Sequence, residues 1–270
     1  MSRASAEQTN RELLQPLLAD PARAAILSDI DGTLAPIVER PEQAGVPDDA
    51  RAILAELAGR YGLVGCISGR RAVEARRLVG VDEIVYAGNH GLELLMPGEQ
   101  EPRLDPGLAG RESEAADHLA GIGLDSLAEA GLRTEDKGPI QALHWRGAED
   151  ERAAEASARK IAADAGRAGL AARWGRKVLE LRPSGGGGKD AAVAALLSLD
   201  QLTAAIYAGD DRTDLDAFRR LRALAEEGRL EAAICVGVAS PEGPAELDEE
   251  SDVIVDGPPG WLAMLQALAA

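Results

Sequence analysis

The sequence predicts an α/β fold, a mainly parallel sheet with helices on both faces, interrupted by a smaller inserted α/β module. Three observations carry that prediction. Short apolar runs that stop abruptly at acidic or glycine residues, as in ILSDIDG, LVGCISG and AIYAGDD, alternate with stretches of helical periodicity. Midway along the chain, a segment rich in Pro, Gly and charge opens a region with helix and strand signals of its own. The composition, 46% apolar with only 3% aromatic residues, favours a helix-rich aliphatic core over a β-sandwich.

In order along the chain, a helix is expected from about Glu7 to Ala19, followed by a buried strand that ends at Asp29. Apolar spacing is helical from Asp48 to Arg60, and Gly62 to Ile67 reads as a second strand closing with Ser68-Gly69-Arg70. After another helix comes the strand EIVYAG from Glu83, closing with Asn89-His90-Gly91. Right-handed crossovers make such strands parallel. Met96 to Gly107 reads as a linker, and beyond it come a helix from about Leu108 to Ala130 and a strand-like RTEDKGPIQALHWR. A helix from about Glu149 to Ala168 and a strand-like LAARWGRKVLELRP complete this region. The expected domains are therefore a core of residues 1–105 with 184–270 and an insertion of residues 106–183. The run SGGGG, residues 184–188, reads equally as a flexible tether or a functional loop ahead of a helix from Lys189. AAIYAGDDRTD, a helix from Leu215 to about Gly228, EAAICVGVAS and SDVIVDGPPGWLAML finish the alternation.

Charge narrows the function. Acidic residues outnumber basic ones 46 to 29, a net charge of −17, so nucleic acid and anionic membrane are poor partners. A phosphate ester is an anion too, so any phosphate chemistry here needs local cations. The two cysteines, Cys66 and Cys235, lie inside apolar runs and read as buried, reduced thiols rather than a zinc site or a disulfide. With no apolar leader and no run of the ~18 apolar residues that a membrane span needs, the expectation is a cytoplasmic protein; a monomer is the starting assumption.

Four strand ends carry the chemistry. Asp29 and Asp31 of DIDGT end the first strand, where open α/β sheets bind ligands, and two carboxylates this close call for a cation or a proton between them. Asp31, crowded by Asp29, is the expected site of a raised pKa. Asp210, Asp211 and Asp214 of GDDRTD follow another apolar run and make an oxygen-rich cluster suited to octahedral Mg²⁺. Ser68, with Gly69, offers a hydroxyl and backbone N–H groups at a helix start, a natural anion site. Lys189 can offset both carboxylate and phosphate charge.

These four loops, in this order, resemble the haloacid dehalogenase superfamily. The resemblance implies a Rossmann-like core, with the insertion as a cap of the C2 type that closes over the site and sets specificity. It further implies that Asp29 attacks phosphorus while Asp31 first protonates the leaving oxygen and then activates water. Mg²⁺ would be held by Asp29, the backbone carbonyl of Asp31 and Asp210, with Asp211 or Asp214 in support; phosphate would be held by Ser68, Gly69 and Lys189. The strings GNHGLEL, DKGPIQALHWR and GRKVLELRP, together with GDDRTD, are similar to the trehalose-phosphatase family over about residues 25–255. That similarity implies a small soluble sugar phosphate as substrate, with cap residues Lys177 and Glu180 on the distal sugar hydroxyls. Lys137, His144, Arg70, Asn89, His90 and Glu93 complete the expected substrate-binding set. Two departures from the family pattern stand out: Gly188 and Asp190 flank Lys189 where Asn and Gly are usual, and Leu215 follows Asp214 where an acidic residue is expected. A phosphatase for another disaccharide-like phosphate, a phosphosugar mutase and a catalytically silent sensor remain open as alternatives at this stage.

Overall fold

The computed structural model describes residues 12–37, 45–175, 177–199, 201–240 and 243–270. Of the expected first helix, residues 7–11 lie outside this range, and residues 12–19 are helical (α1). The chain divides into two compact units, Met1–Arg103 with Gly187–Ala270, and Leu104–Gly186.

The first unit is built on strands that the sequence marks by apolar runs: β1 (Ala24–Ser28), β2 (Leu63–Ile67), β3 (Val85–Gly88), β10 (Ala204–Gly209) and β11 (Ala232–Val238). With the short β4 (Glu93–Leu95), β5 (Arg103–Leu104) and β12 (Val253–Val255) they form an eight-stranded sheet in the order β12-β11-β10-β1-β2-β3-β4-β5. The strands from β12 to β3 run parallel, and β4 turns back antiparallel on β3. Neither β4 nor β5 is legible in the sequence. Each is only two or three residues long, and β5 falls in the segment read as linker.

Period-two alternation explains how one strand serves two cores. In β1, Ala24 and Ile26 join the cluster containing Leu54, Ala75 and Trp261 of helices α2 (Asp48–Ala58), α3 (Ala72–Val79) and α10 (Gly257–Ala269), along with Leu14 and Leu17 of α1. Ala25 and Leu27 face the other way, onto Val193 and Leu196 of α7 (Lys189–Leu196) and Phe218 and Leu221 of α8 (Arg212–Glu226). The short α9 (Leu247–Glu250) adds Leu247 to this second core. Because both faces are covered, β1 and β2 are buried at every residue. Helix α8 begins three residues earlier than its apolar periodicity suggests, capped by Asp211 in a reciprocal capping box with Asp214.

The second unit holds an antiparallel sheet in the order β6-β7-β9-β8, from β6 (Arg133–Asp136), β7 (Gln141–His144), β8 (Leu170–Gly175) and β9 (Val178–Pro183). Each of the two strand-like stretches expected here is a hairpin rather than a single strand. The helical stretch expected to reach Ala130 is broken into α4 (Glu114–Ile122) and α5 (Leu124–Glu129) at Gly123, whose φ of 92° interrupts the helix. Together with α6 (Glu151–Arg167), these helices bury Leu143, Leu179 and Leu181 on one face of the sheet. Alternation then sends His144, Glu180 and Arg182 to the opposite face. Trp145 packs into this core, 6.0 Å from Trp174 edge to face, with the Arg159 guanidinium 5.1 Å above the Trp174 ring.

Candidate active site

The site grows from the carboxyl end of β1. The Asp29 N–H donates to the Ala208 carbonyl of the neighbouring β10 at 2.9 Å, and the Ser28 hydroxyl donates to the Asp29 carbonyl while accepting from the Trp261 indole. The chain then coils tightly: the Ile30 carbonyl accepts from the N–H groups of Thr33, Leu34 and Ala35. Gly32 is obligatory in this coil. Its φ is +93°, and a Cβ there would sit 2.2 Å from Oδ2 of Asp210. The Asp210 carboxylate thus rests on the backbone of the first loop, with Thr33 Oγ1 donating to its Oδ1 at 3.0 Å.

Lys189 is the buried cation of the cluster. Its Nζ lies 3.0 Å from Asp29 and 2.6 Å from Asp214. The glycine run before it is no loose tether, which decides between the two readings of SGGGG. Gly188 N–H donates to the His90 carbonyl at 2.7 Å, and a Cβ on Gly187 would meet Leu92 at 2.5 Å. Asp214 is saturated: Oδ1 accepts from Lys189 and from the Tyr207 hydroxyl at 2.5 Å, and Oδ2 accepts from the N–H groups of Asp210 and Asp211. Asp211 spends its Oδ1 on the Thr213 hydroxyl and on the first N–H groups of α8. Tyr207 is a site residue that the sequence does not reveal, since a tyrosine inside an apolar strand carries no signal that its hydroxyl reaches a carboxylate.

The electrostatics follow from burial. The Asp29 carboxyl is held well above the ordinary range by its desolvation, with Lys189 opposing and the charges of Asp214, Asp211 and Asp210 adding to the rise. Asp210 is raised to about 7, by burial first and Asp214 next. Asp214 is raised as well, by burial. Burial also acts on Asp211, but Lys189 and the Thr213 hydrogen bonds prevail and lower it. Burial alone lowers the Lys189 ammonium; Asp214 and Asp29 reverse this and raise it. The raised carboxyls of the site are thus Asp29, Asp210 and Asp214. Asp31 instead turns its carboxylate to Arg70, in a fork of two 2.7 Å hydrogen bonds.

Buried carboxylates outnumber the buried ammonium, so the cluster has room for a cation. Oxygens of Asp29, Asp210 and Asp214 lie within 4.8 Å of one another. Oxygens around one Mg²⁺ are at most about 4.2 Å apart, so a small contraction suffices. An all-oxygen, anionic donor set suits a hard divalent ion. Because the lone pairs of Asp214 are already taken, Asp29 and Asp210 are the better ligands, and Asp214 serves to hold Lys189 and the loop.

Around this cluster, Ser68 and the 89–91 turn are laced together. Ser68 N–H donates to Ala87, His90 N–H to the Ser68 carbonyl, and Asn89 N–H to the Arg70 carbonyl. Asn89 and His90 adopt positive φ values of 50° and 55°, and the His90 ring lies against Gly69, where a Cβ would be 2.7 Å from its Nε2. Glu93, expected near substrate, is 2% exposed, and its carboxylate accepts from the Ala72 N–H at the start of α3. That geometry makes it a brace for the helix that follows Arg70.

In the second unit, the structure brings together Lys137 and Glu180 at 2.8 Å and His144 and Glu135 at 2.7 Å. It does not join Lys177 to Glu180. Lys177 sits in the β8–β9 turn at φ 60°, with its ammonium 2.6 Å from Glu151 at the start of α6. Among the described residues no helix is long and apolar enough to cross a membrane.

Comparison with known proteins adds family and fold. A family model described as trehalose-phosphatase matches residues 27–249. A trehalose-phosphate phosphatase of Mycobacterium marinum is 35% identical over 207 residues, covering 73% of this chain and 51% of that protein. A protein of Mycobacterium tuberculosis named as an uncharacterized glycosyl hydrolase is 38% identical over 213 residues, 74% of this chain but 15% of its own length. The chain spans between 15% and 60% of the length of the curated relatives it matches first. Among solved structures, the C-terminal domain of Candida albicans trehalose-6-phosphate phosphatase superposes with a TM-score of 0.77 at 21% identity, covering 96% of both chains. A haloacid dehalogenase-like hydrolase from Bacteroides thetaiotaomicron has a TM-score of 0.61 at 16% identity, covering 91% of this chain and 99% of that one. Likeness at such identities speaks for the fold.

Proposed function

The chain belongs to the trehalose-phosphatase family, and on that premise we propose that it hydrolyses trehalose 6-phosphate to trehalose and phosphate with Mg²⁺ as cofactor. The observation that carries this reading is the buried convergence of Asp29 and Asp210, at the neighbouring ends of β1 and β10, with Lys189 at the start of α7, and with the carboxylate of Asp31 close by in the chain.

In this reading Asp29 attacks phosphorus and forms an aspartyl phosphate as the bond to the sugar oxygen breaks. Asp31 gives its proton to the departing oxygen and then takes one from the water that releases phosphate. Lys189 holds the Asp29 carboxylate in place and offsets charge on the phosphoryl oxygens, with Ser68 and the backbone of Gly69 as hydrogen-bond donors. Asp29, Asp210 and the Asp31 carbonyl would hold Mg²⁺, which when bound would supply the positive charge that lets an anionic carboxylate approach an anionic phosphate. The unit Leu104–Gly186 acts as the specificity cap, where Lys137 and Glu180, supported by His144, read the sugar hydroxyls. The chain's two free, buried thiols are in keeping with a cytoplasmic setting.

The test is phosphate release across hexose phosphates and disaccharide phosphates, with and without Mg²⁺. Trehalose 6-phosphate is expected to give the highest kcat/KM, Mg²⁺ to be required, and Asp29→Asn to abolish turnover. Isomerisation of a sugar phosphate without release would point instead to a mutase.

A further inference from the structure

Arg70 belongs to the expected substrate-binding set, yet its guanidinium is already committed. Nε donates to Oδ2 of Asp31 and Nη2 to Oδ1, both at 2.7 Å, so two of its five N–H donors form a side-on fork with the carboxylate. The base of the arm is fixed as well. Arg70 N–H donates to Ser68 Oγ at 3.2 Å, and its carbonyl accepts from the Asn89 N–H at 2.7 Å. Ser68 is in turn pinned through its own N–H to Ala87 of β3 and through its carbonyl to His90. The side chain is about three-quarters covered, at 25% exposure.

We propose that Arg70 is the positioning residue that aims Asp31 at the leaving oxygen. Asp31 lies beyond the end of β1, its side chain is 39% exposed, and the fork ties its carboxylate to the sheet. A single hydrogen bond leaves a carboxylate free to rotate about χ2, whereas two parallel bonds from a planar donor fix both its direction and its plane. Each Asp31 oxygen keeps further lone-pair capacity after the fork is made. An Asp31 oxygen can therefore carry or accept a proton while Arg70 stays in place.

This inference rests on the phosphatase reading. In the step it concerns, an Asp29 oxygen bonds to phosphorus as the phosphorus–oxygen bond to the leaving group breaks. The electron pair of that bond goes to the departing oxygen, which takes the Asp31 proton and leaves as the neutral alcohol, with Asp31 as carboxylate. A leaving group that departs readily as an anion needs no such proton.

The experiment compares kcat/KM for phenyl phosphate and p-nitrophenyl phosphate in wild type, Arg70→Lys and Arg70→Gln, with Mg²⁺ present. The two esters have nearly the same size and differ in how much their leaving groups need a proton, and kcat/KM reports the steps through leaving-group departure. Both variants are expected to lose about tenfold or more on phenyl phosphate relative to p-nitrophenyl phosphate. Lysine keeps the charge but cannot make the fork, so Arg70→Lys is expected to behave like Arg70→Gln. An equal loss on both esters, activity retained in Arg70→Lys, or a rise in KM alone would overturn the assignment in favour of a structural or phosphate-binding role. A wild type inactive on every ester and sugar phosphate would overturn the phosphatase reading, and this inference with it.

Discussion

Replacing Asp210 with asparagine is expected to stabilise the metal-free protein while destroying its activity. The Asp210 carboxyl is 2% exposed, sits against the Gly32 backbone and near Asp214, and is raised from 3.8 to about 7 in the folded state. A folded-state value above the unfolded one means that the proton favours folding. This contribution is complete below the unfolded value of 3.8 and is lost as pH rises through about 7. The full shift corresponds to about 4 kcal/mol at pH 8. The substituted amide carries no charge, and its oxygen can still accept the Thr33 hydroxyl hydrogen bond. In EDTA, wild type and Asp210→Asn should therefore be equally stable near pH 4, and the variant should be more stable by up to about 4 kcal/mol at pH 8. With an m-value of about 3 kcal/mol/M, that is a shift of about 1 M in the urea midpoint. The assay follows from where the cysteines lie. Both of the chain's thiols, Cys66 in β2 and Cys235 in β11, are buried in the core unit, so pulsed thiol labelling in urea reports the unfolding of that unit alone. Excess Mg²⁺ should raise the wild-type midpoint at pH 8 and leave that of Asp210→Asn nearly unchanged. A variant less stable than wild type at pH 8, or a difference that does not vary with pH, would show that the Asp210 charge does not destabilise the metal-free fold.

Three further outcomes are expected. Lys189→Met strands its carboxylate partners, Asp29 and Asp214, and should destabilise the core unit by about 3–5 kcal/mol at pH 8. That loss should shrink on acidification, as read by the same labelling, because Asp29 and Asp214 are both raised and take up protons. Glu180→Gln, which breaks the ion pair with Lys137, should lower kcat/KM for trehalose 6-phosphate about 10–100-fold and leave p-nitrophenyl phosphate untouched in parallel steady-state assays. Gly88→Ala places a Cβ 2.1 Å from the Ala72 backbone nitrogen, so a loss of about 1–3 kcal/mol or more is expected in urea titrations.

Much of the site was legible because an apolar run that stops at Asp or Gly is a local signal. The ends of β1, β2 and β10, and with them Asp29, Ser68 and Asp210, could be read from it. Which ends become neighbours is a long-range fact. Nothing local states that β10 pairs with β1, so that the Asp29 N–H reaches Ala208. The same limit hid the partners of charged side chains. Asp31 looked crowded by Asp29 from its place in the chain, while the fold delivers Arg70 from 39 residues away. Lys177 and Glu180 were expected together on the sugar hydroxyls, and nothing local states that Lys177 pairs with Glu151 while Glu180 pairs with Lys137. SGGGG was ambiguous because composition cannot reveal that Gly187 and Gly188 pack against Leu92 and His90. The short strands β4 and β5 were missed because Glu93–Leu95 and Arg103–Leu104 lack the β-branched apolar run that marks the equally short Val253–Val255.

Rapid acid quench of the protein mixed with trehalose 6-phosphate and Mg²⁺, followed by peptide mass spectrometry, tests the central chemistry most directly. A phosphoryl group is expected on the peptide that carries Asp29, formed before phosphate appears in solution and absent from Asp29→Asn. Steady phosphate release with no phosphorylated peptide at any quench time, or with the phosphoryl group on another residue, would contradict it.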